Sequence, residues 1–308
     1  EILAFLVLVG VIIFWTRRNI SRIKRFWATE MTSWPTNDAN NILYFEMVLM
    51  TLFLIMNATD LQLQLNGADH YARAEGIAGS FPISQFLLPL FDGMATSTLI
   101  IIERAAWWLH IVGILFFLNY LYYSKHLHIL LAFPNTYFAK LKPKGELDNI
   151  KSVTDEVKLM MDPNADPFAT PEPTAEGDDT MPEKFGASDV MDLNWVQLLN
   201  SYTCTECGRC TSECPANQTG KKLSPRKIMM DTRDRLEEVG ENINKNGEFK
   251  DDGKQLLGDY ILKEELWACT TCNACVEACP IGIDPLSIIV DMRRYLVMEQ
   301  SAAPVELN

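Results

Sequence analysis

Three long apolar runs lie near the start of the chain and are each followed by polar or basic residues. The first, Ile2 to Trp15, opens the sequence with no Met and no charged segment ahead of it, so the natural N-terminus is expected to lie further upstream. Arg17, Arg18, Arg22, Lys24 and Arg25 follow it, a basic cluster of the kind that marks the cytoplasmic end of a span rather than a cleaved leader. The second run, Ile42 to Leu65, is long enough as a helix to cross a hydrocarbon core of about 30 Å, and the loop after it holds Arg73 as its only Lys or Arg. The third, Leu99 to Tyr123, precedes Lys125, Lys140, Lys142 and Lys144. Two basic ends on one side require an even number of crossings between them. Ile77 to Phe91, short and interrupted by Pro82 and Pro89, is therefore expected to be interfacial or re-entrant.

The pattern then changes character. Residues 162–190 carry five prolines and an acidic polar majority, too little apolar content for a core, and read as a tether. Beyond them, Asp192 to Tyr202 predicts a short helix. Ser224-Pro225 predicts an N-cap with proline at the first helical position, opening a helix to about Val239. Gly247 to Gly258 is a polar excursion, Ile261 to Trp267 a second short helix, and Asp284-Pro285 the start of a last helix reaching about Met298. No stretch has a convincing strand period. The expected fold class is all-α: a transmembrane helical bundle followed by a mainly helical, cysteine-bearing domain. The expected divisions are 1–144 for the membrane domain, with spans at 2–15, 42–65 and 99–123, then 145–191 as an acidic flexible linker and 192–308 as the soluble domain.

Charge sharpens this division. The whole chain has 27 Lys+Arg and 40 Asp+Glu; residues 1–144 hold 11 and 9 of these, and residues 145–308 hold 16 and 31. So acidic a domain would repel phosphate backbones, which excludes nucleic acid as an expected partner. If the soluble half faces the cytoplasm, its thiols stay reduced and a disulfide framework is not expected.

All eight cysteines fall in two runs, Cys204-Thr-Glu-Cys207-Gly-Arg-Cys210-Thr-Ser-Glu-Cys214-Pro215 and Cys269-Thr-Thr-Cys272-Asn-Ala-Cys275-Val-Glu-Ala-Cys279-Pro280. Each is C-x2-C-x2-C-x3-C-P, the bacterial ferredoxin run, in which three cysteines wrap one [4Fe-4S] cubane and the fourth ligates the other. The expected ligand sets cross over: Cys204, Cys207, Cys210 and Cys279 for one cluster, Cys269, Cys272, Cys275 and Cys214 for the second. Structural zinc is the alternative for four thiolates, but it requires neither the third x2 step nor the trailing Cys-Pro. Arg209 is a candidate hydrogen-bond donor to cluster sulfur, or a solvated surface side chain.

The histidines point to a second cofactor. His110 and His128 are 18 residues apart, five full turns if one helix carries both, with a rise of about 27 Å. Such a pair suits one axial ligand for each of two b-type haems stacked across a membrane, with the partner ligands outside this chain; a buried polar contact and an interfacial residue are the competing readings. His126 points roughly 160° away, and His70, in the loop after the second run, is a weaker candidate. Glu46, Asp60 and Glu103 are carboxylates in or near the spans, costly there and so candidates for quinone or proton-path groups, or residues at a boundary.

With both ferredoxin runs and the span ERAAWWLHIVGILFFLNYLYYSKHLHILLAFPN in view, the chain resembles membrane-anchored, heterodisulfide-reductase-related iron–sulfur oxidoreductases. In these a haem b domain similar to the gamma subunit of respiratory nitrate reductase is fused to a two-cluster ferredoxin domain. The resemblance matches His110 and His128 to last-helix haem ligands and the eight cysteines to cluster ligands. It implies five membrane helices, where three are evident here, and CCG-type cysteine domains, which this sequence lacks. It further implies an electron-transfer role between menaquinone and a cytoplasmic partner, either an iron–sulfur protein with CCG domains or an electron-transferring flavoprotein, in a multi-pass protein of the cytoplasmic membrane. The leading expectation is an electron-transfer-flavoprotein:quinone oxidoreductase component with no substrate-converting residue of its own. The electron-transfer component of a heterodisulfide-reductase-like enzyme or of an organic-acid dehydrogenase is the next expectation, and a membrane-anchored redox sensor is the rival from another class.

Overall fold

The computed structural model describes residues 1–31, 33–68, 70–71, 76–143, 145–162 and 184–304. Arg73, Lys144 and residues 163–183 of the expected tether lie outside the described residues. Among the described residues no strand forms; one isolated bridge joins Leu257 and Ile261. The chain divides into two compact units, Glu1–Leu127 and His128–Asn308.

In the first unit α1 (Ile2–Asn19), α2 (Trp34–Leu65) and α3 (Thr96–Leu121) are each long and apolar enough to cross a membrane. Their outward faces remain apolar, with Ile101, Trp108, Leu109, Val112 and Leu115 of α3 exposed, which suits lipid rather than water. α2 packs against both neighbours. At Gly113 a Cβ would come within 2.8 Å of the Leu49 side-chain tip, so α3 and α2 pack closely there and a larger residue would displace Leu49. Phe45 adds rings: it lies against Phe116, Phe117 and Tyr120 at centroid distances of 5.5, 5.6 and 5.8 Å. Within the stretch 77–91, Ser84–Leu90 forms a seven-residue 3-10 helix with Pro89 inside it, far short of a span.

α2 starts two turns before its apolar run, because Pro35 is accepted in the first turn and Asp38, 1% exposed, has work there. Its carboxylate accepts hydrogen bonds from the Tyr120 hydroxyl at 2.6 Å and from the backbone N–H of Lys125 at 3.0 Å. The second bond gives the Lys125 N–H a partner off the helix ladder, and α3 ends at Leu121 before a 3-10 turn, Lys125–Leu127. α4 (His128–Tyr137) begins afterwards. The continuous helix expected to carry both His110 and His128 is therefore interrupted, and the five-turn register does not relate them.

The second unit continues with α5 (Lys151–Met161), α6 (Trp195–Thr203), the single turns α7 (Arg209–Ser212) and α8 (Pro215–Gln218), α9 (Pro225–Asn246), α10 (Lys263–Trp267), the turn α11 (Ala274–Glu277) and α12 (Pro285–Arg294). Local signals set the ends. Asn194 and Gln197 form a reciprocal capping box on α6. Ser224 accepts from the Lys227 N–H at 3.4 Å at the start of α9, and Asp284 accepts from the Ser287 N–H at 3.1 Å at the start of α12. α9 runs past Val239 until Gly247, at φ 82°, supplies the left-handed C-cap.

Ile228, Met229, Leu256, Ile261, Leu266, Ile288, Ile289 and Met292 form the core together with cysteines of both runs. Part of the segment expected as linker belongs to this unit. Ala187 and Val190 are buried in the core, and Gly186, at φ 78°, lies so near the Asp291 carbonyl that a Cβ there would collide with it. Asp189 holds the fully buried Arg235 through Oδ1 to Nε at 3.0 Å and Oδ2 to Nη2 at 2.8 Å, while Asp252 takes Nη1 at 2.5 Å. A buried arginine fork of this kind is tolerated only because its charge and donors are met.

Candidate metal centre

The two cysteine loops repeat one backbone path. In the first, Glu206 (φ 56°) and Gly208 (φ 73°) flank Cys207; in the second, Thr271 (φ 55°) and Asn273 (φ 59°) flank Cys272. Glycine and asparagine take this left-handed region readily, whereas a β-branched threonine there is strained. The path turns backbone donors inward. The Thr271 N–H points at Cys269 Sγ, 3.4 Å away, and the Glu206 N–H stabilises the charged form of Cys204 in the same way. Such N–H to sulfur contacts raise a cluster's potential.

Cys204, Cys207, Cys210 and Cys279, the set expected for one cubane, all line a single cavity of about 220 Å³, which also touches Cys275. The other set is linked electrostatically: after burial, Cys214 and Cys272 push the Cys269 thiol up, and Cys269 and Cys214 do the same to Cys275. Burial drives Cys204, Cys210 and Cys275 each up to about 12. Thiolates at these positions are costly without a cation, which iron supplies when the cluster is bound. Of the eight cysteines, Cys204, Cys207, Cys210, Cys275 and Cys279 line this one cavity.

Charged residues absent from the sequence-based expectation surround the first loop. Arg226, 1% exposed, lines its cavity and donates from Nη1 to the Glu206 carbonyl at 3.4 Å. The buried Glu206 carboxylate is paired with Arg233 of α9 at 2.7 Å. Neither arginine lies near a cysteine in sequence; only the packing of α9 brings them in. At the second loop Arg293 of α12 donates to the carbonyls of Leu266 and Cys269 and stacks on Trp267 with its guanidinium 5.0 Å from the ring centroid. Arg209 is exposed yet borders the first cavity.

The histidines are dispersed. His110 Nδ1 lies 2.9 Å from the Leu49 carbonyl, and because a carbonyl only accepts, Nδ1 carries the proton and Nε2 keeps its lone pair. His126 packs on Phe117 at 5.4 Å between centroids. His128 lines the first cysteine cavity. His70 is exposed and borders a different cavity, in the first unit, with Asp60 and Glu103.

Three helices long and apolar enough to cross a membrane and two ferredoxin-type cysteine loops define a chain that joins candidate spans to an iron–sulfur domain built for two [4Fe-4S] clusters. Residues 203–283 match the family of 4Fe-4S dicluster domains. The chain is similar to a probable iron–sulfur-binding oxidoreductase, FadF, of Bacillus subtilis, with 30% identity over 97% of this chain and 41% of that protein. It is also similar to the EtfAB:quinone oxidoreductase of Syntrophomonas wolfei, with 26% identity over 99% of this chain and 41% of that protein. A probable membrane-anchored ferredoxin of Chromohalobacter salexigens is 37% identical over 39% of this chain and 20% of its own length. The chain thus spans about two fifths of the length of the two curated relatives that match nearly all of it. No solved structure matches it significantly.

Proposed function

We propose that the chain carries electrons between menaquinone and a redox partner on the cytoplasmic side, as the electron-transfer part of an electron-transferring-flavoprotein:quinone oxidoreductase. The observation that supports this most is similarity over nearly the whole chain, spans and cysteine loops together, to a relative whose name pairs EtfAB with quinone. Shorter similarity to one component of the ferredoxin/F420H2-dependent CoB-CoM heterodisulfide reductase of Methanosarcina acetivorans, 32% identical over 38% of this chain, favours part of a disulfide reductase as the second reading. The basic residues after α1 and α3 support a cytoplasmic iron–sulfur unit.

In this reading Cys204, Cys207, Cys210 and Cys279 hold one cluster and Cys269, Cys272, Cys275 and Cys214 the other. When bound, the clusters supply one-electron capacity. The protein's part is to bury Cys204, Cys214 and Cys275, to aim the Glu206 and Thr271 N–H groups at sulfur, and to place Arg226 beside the first cluster. For a b-type haem, His110 is the candidate axial ligand: its Nδ1–H is held by the Leu49 carbonyl, the outer contact that fixes ring orientation and presents Nε2 to a metal. His128 remains a candidate for a second haem but loses the support of a shared helix face, since α3 stops before it.

A menaquinol-reduced minus air-oxidised visible spectrum of the full-length protein, purified with its partners, tests the reading. Quinol-reducible b-haem absorption that disappears in His110→Ala is expected. A protein without haem overturns the His110 assignment, and clusters that quinol never reduces overturn the quinone role.

A further inference from the structure

The first unit holds a polar cavity of about 360 Å³ at the junction of the last turns of α2, the following loop and the first part of α3. Membrane helices seldom carry such a set without a use, because each polar group is costly in lipid. Asp60 and Gln64 lie one turn apart on α2, and the Gln64 amide donates to Asp60 Oδ2 at 2.9 Å. The same amide clamps the loop, accepting from the Ala78 N–H at 2.8 Å and donating to the Ala78 carbonyl at 3.2 Å. Across the cavity Glu103 of α3, 7% exposed, accepts from the Tyr71 hydroxyl at 3.0 Å and pairs with Arg104 at 3.1 Å. Met56 and Trp107 supply apolar lining.

We propose that this cavity binds the headgroup of a quinone and that Glu103 and Asp60 exchange its protons with water. The inference rests on the quinone reading above and gives that reading a place. A quinone needs a donor at a carbonyl when oxidised and an acceptor at a hydroxyl when reduced. Tyr71 and Arg104 provide the first, Glu103 and Asp60 the second. The ring needs a flat or soft apolar contact, which Trp107 and Met56 offer, and the volume falls within the range of small-ligand sites. The spanning helices beside the cavity leave their apolar faces to lipid, where an isoprenoid tail can lie.

The balance is that of a hydroquinone couple. On oxidation both O–H bonds break, one proton would pass to the Glu103 carboxylate and one to Asp60, and the two electrons would leave singly to the iron centres that the proposed function assigns to this chain. The ring is left with two carbonyls. On reduction the same groups return the protons.

The test uses a photoreactive azido-naphthoquinone on the full-length protein with its partners, with the labelled peptides identified by mass spectrometry. Label within residues 56–71 or 103–107, displaced by excess menaquinone, is expected. Displaceable label elsewhere overturns this cavity and leaves the quinone reading standing, whereas the absence of any displaceable label overturns both. Glu103→Gln and Asp60→Asn are then compared for quinol-driven and dithionite-driven cluster reduction. General acid–base loss predicts a fall of about 100-fold in the quinol-driven rate, while unchanged dithionite reduction shows that each variant is folded with clusters intact. An unchanged quinol-driven rate in both variants overturns the proton role.

Discussion

The two cysteine loops share spacing, left-handed residues and inward N–H groups, yet the protein supports them differently. The first is held by charge: Glu206 is buried against Arg233, and Arg226 is buried beside the cysteines. The second has no acid at the matching position, where Thr271 stands, and Arg293 ties it through two main-chain carbonyls instead. Cys204 is buried while its counterpart Cys269 is half-buried and Cys272 is exposed. The motif sets where the sulfurs lie, while the surrounding helices decide how dry and how positive each site is.

The most severe way to break the comparison is to remove what both loops have in common. Chelating iron under reducing conditions removes the metal bonds of cysteines that include Cys204 and Cys214 of the core, and the second unit is expected to open cooperatively. Tryptic cleavage at Arg226 and Arg235, 1% and 0% exposed, should appear after chelation and be absent before it.

Removing one arginine at a time separates the loops. Arg233→Ala removes the 2.7 Å ion pair of the buried Glu206, at a cost of about 3–5 kcal/mol, and should release the first cluster preferentially; adding Glu206→Gln should recover much of that loss. Arg293→Ala deletes hydrogen bonds to carbonyls and a ring contact, about 1–3 kcal/mol, and should affect the second cluster alone. Chemical denaturation monitored by each cluster's paramagnetic signal checks both.

Smaller effects should differ in sign. Thr271→Gly relieves a β-branched residue at φ 55° and should stabilise by about 1 kcal/mol. Glu206→Gly relieves similar strain but removes the 2.7 Å ion pair to Arg233, which keeps Asp234 at 3.0 Å, and should destabilise. Least of all, Lys222→Ala removes an ion pair to Glu264 in which both side chains are 63% exposed, and the unfolding midpoint should not move.

What could be read from the sequence is what is local. The spans, the cysteine runs and the helix starts at Ser224-Pro225 and Asp284-Pro285 each depend on residues a few positions apart, and they stand in the structure close to where periodicity and capping put them. The end of α3 was hidden because its cause, Asp38, lies 87 residues from the N–H it takes. Arg226 and Arg233 were hidden for the same reason, since α9 reaches the first loop only through packing. In the expected linker, Ala187 and Val190 belong to a short mixed stretch, Phe185 to Met191, and no period reveals that they are core. Asp60 and Glu103 were legible as costly carboxylates, but not that Gln64, Tyr71 and Arg104 gather around one cavity with them.

The central claim is that two cubanes sit side by side, each ligated by cysteines from both runs. Iron and acid-labile sulfide analysis of the reduced full-length protein, read together with its electron paramagnetic resonance spectrum, tests it directly. Two [4Fe-4S] clusters require about eight non-haem iron and about eight sulfide per chain, with signals broadened by mutual coupling, and Cys279→Ala should perturb the cluster held by Cys204, Cys207 and Cys210. Zinc in place of iron, or a Cys279→Ala protein whose only altered cluster is the one held by Cys269, Cys272 and Cys275, would contradict the account.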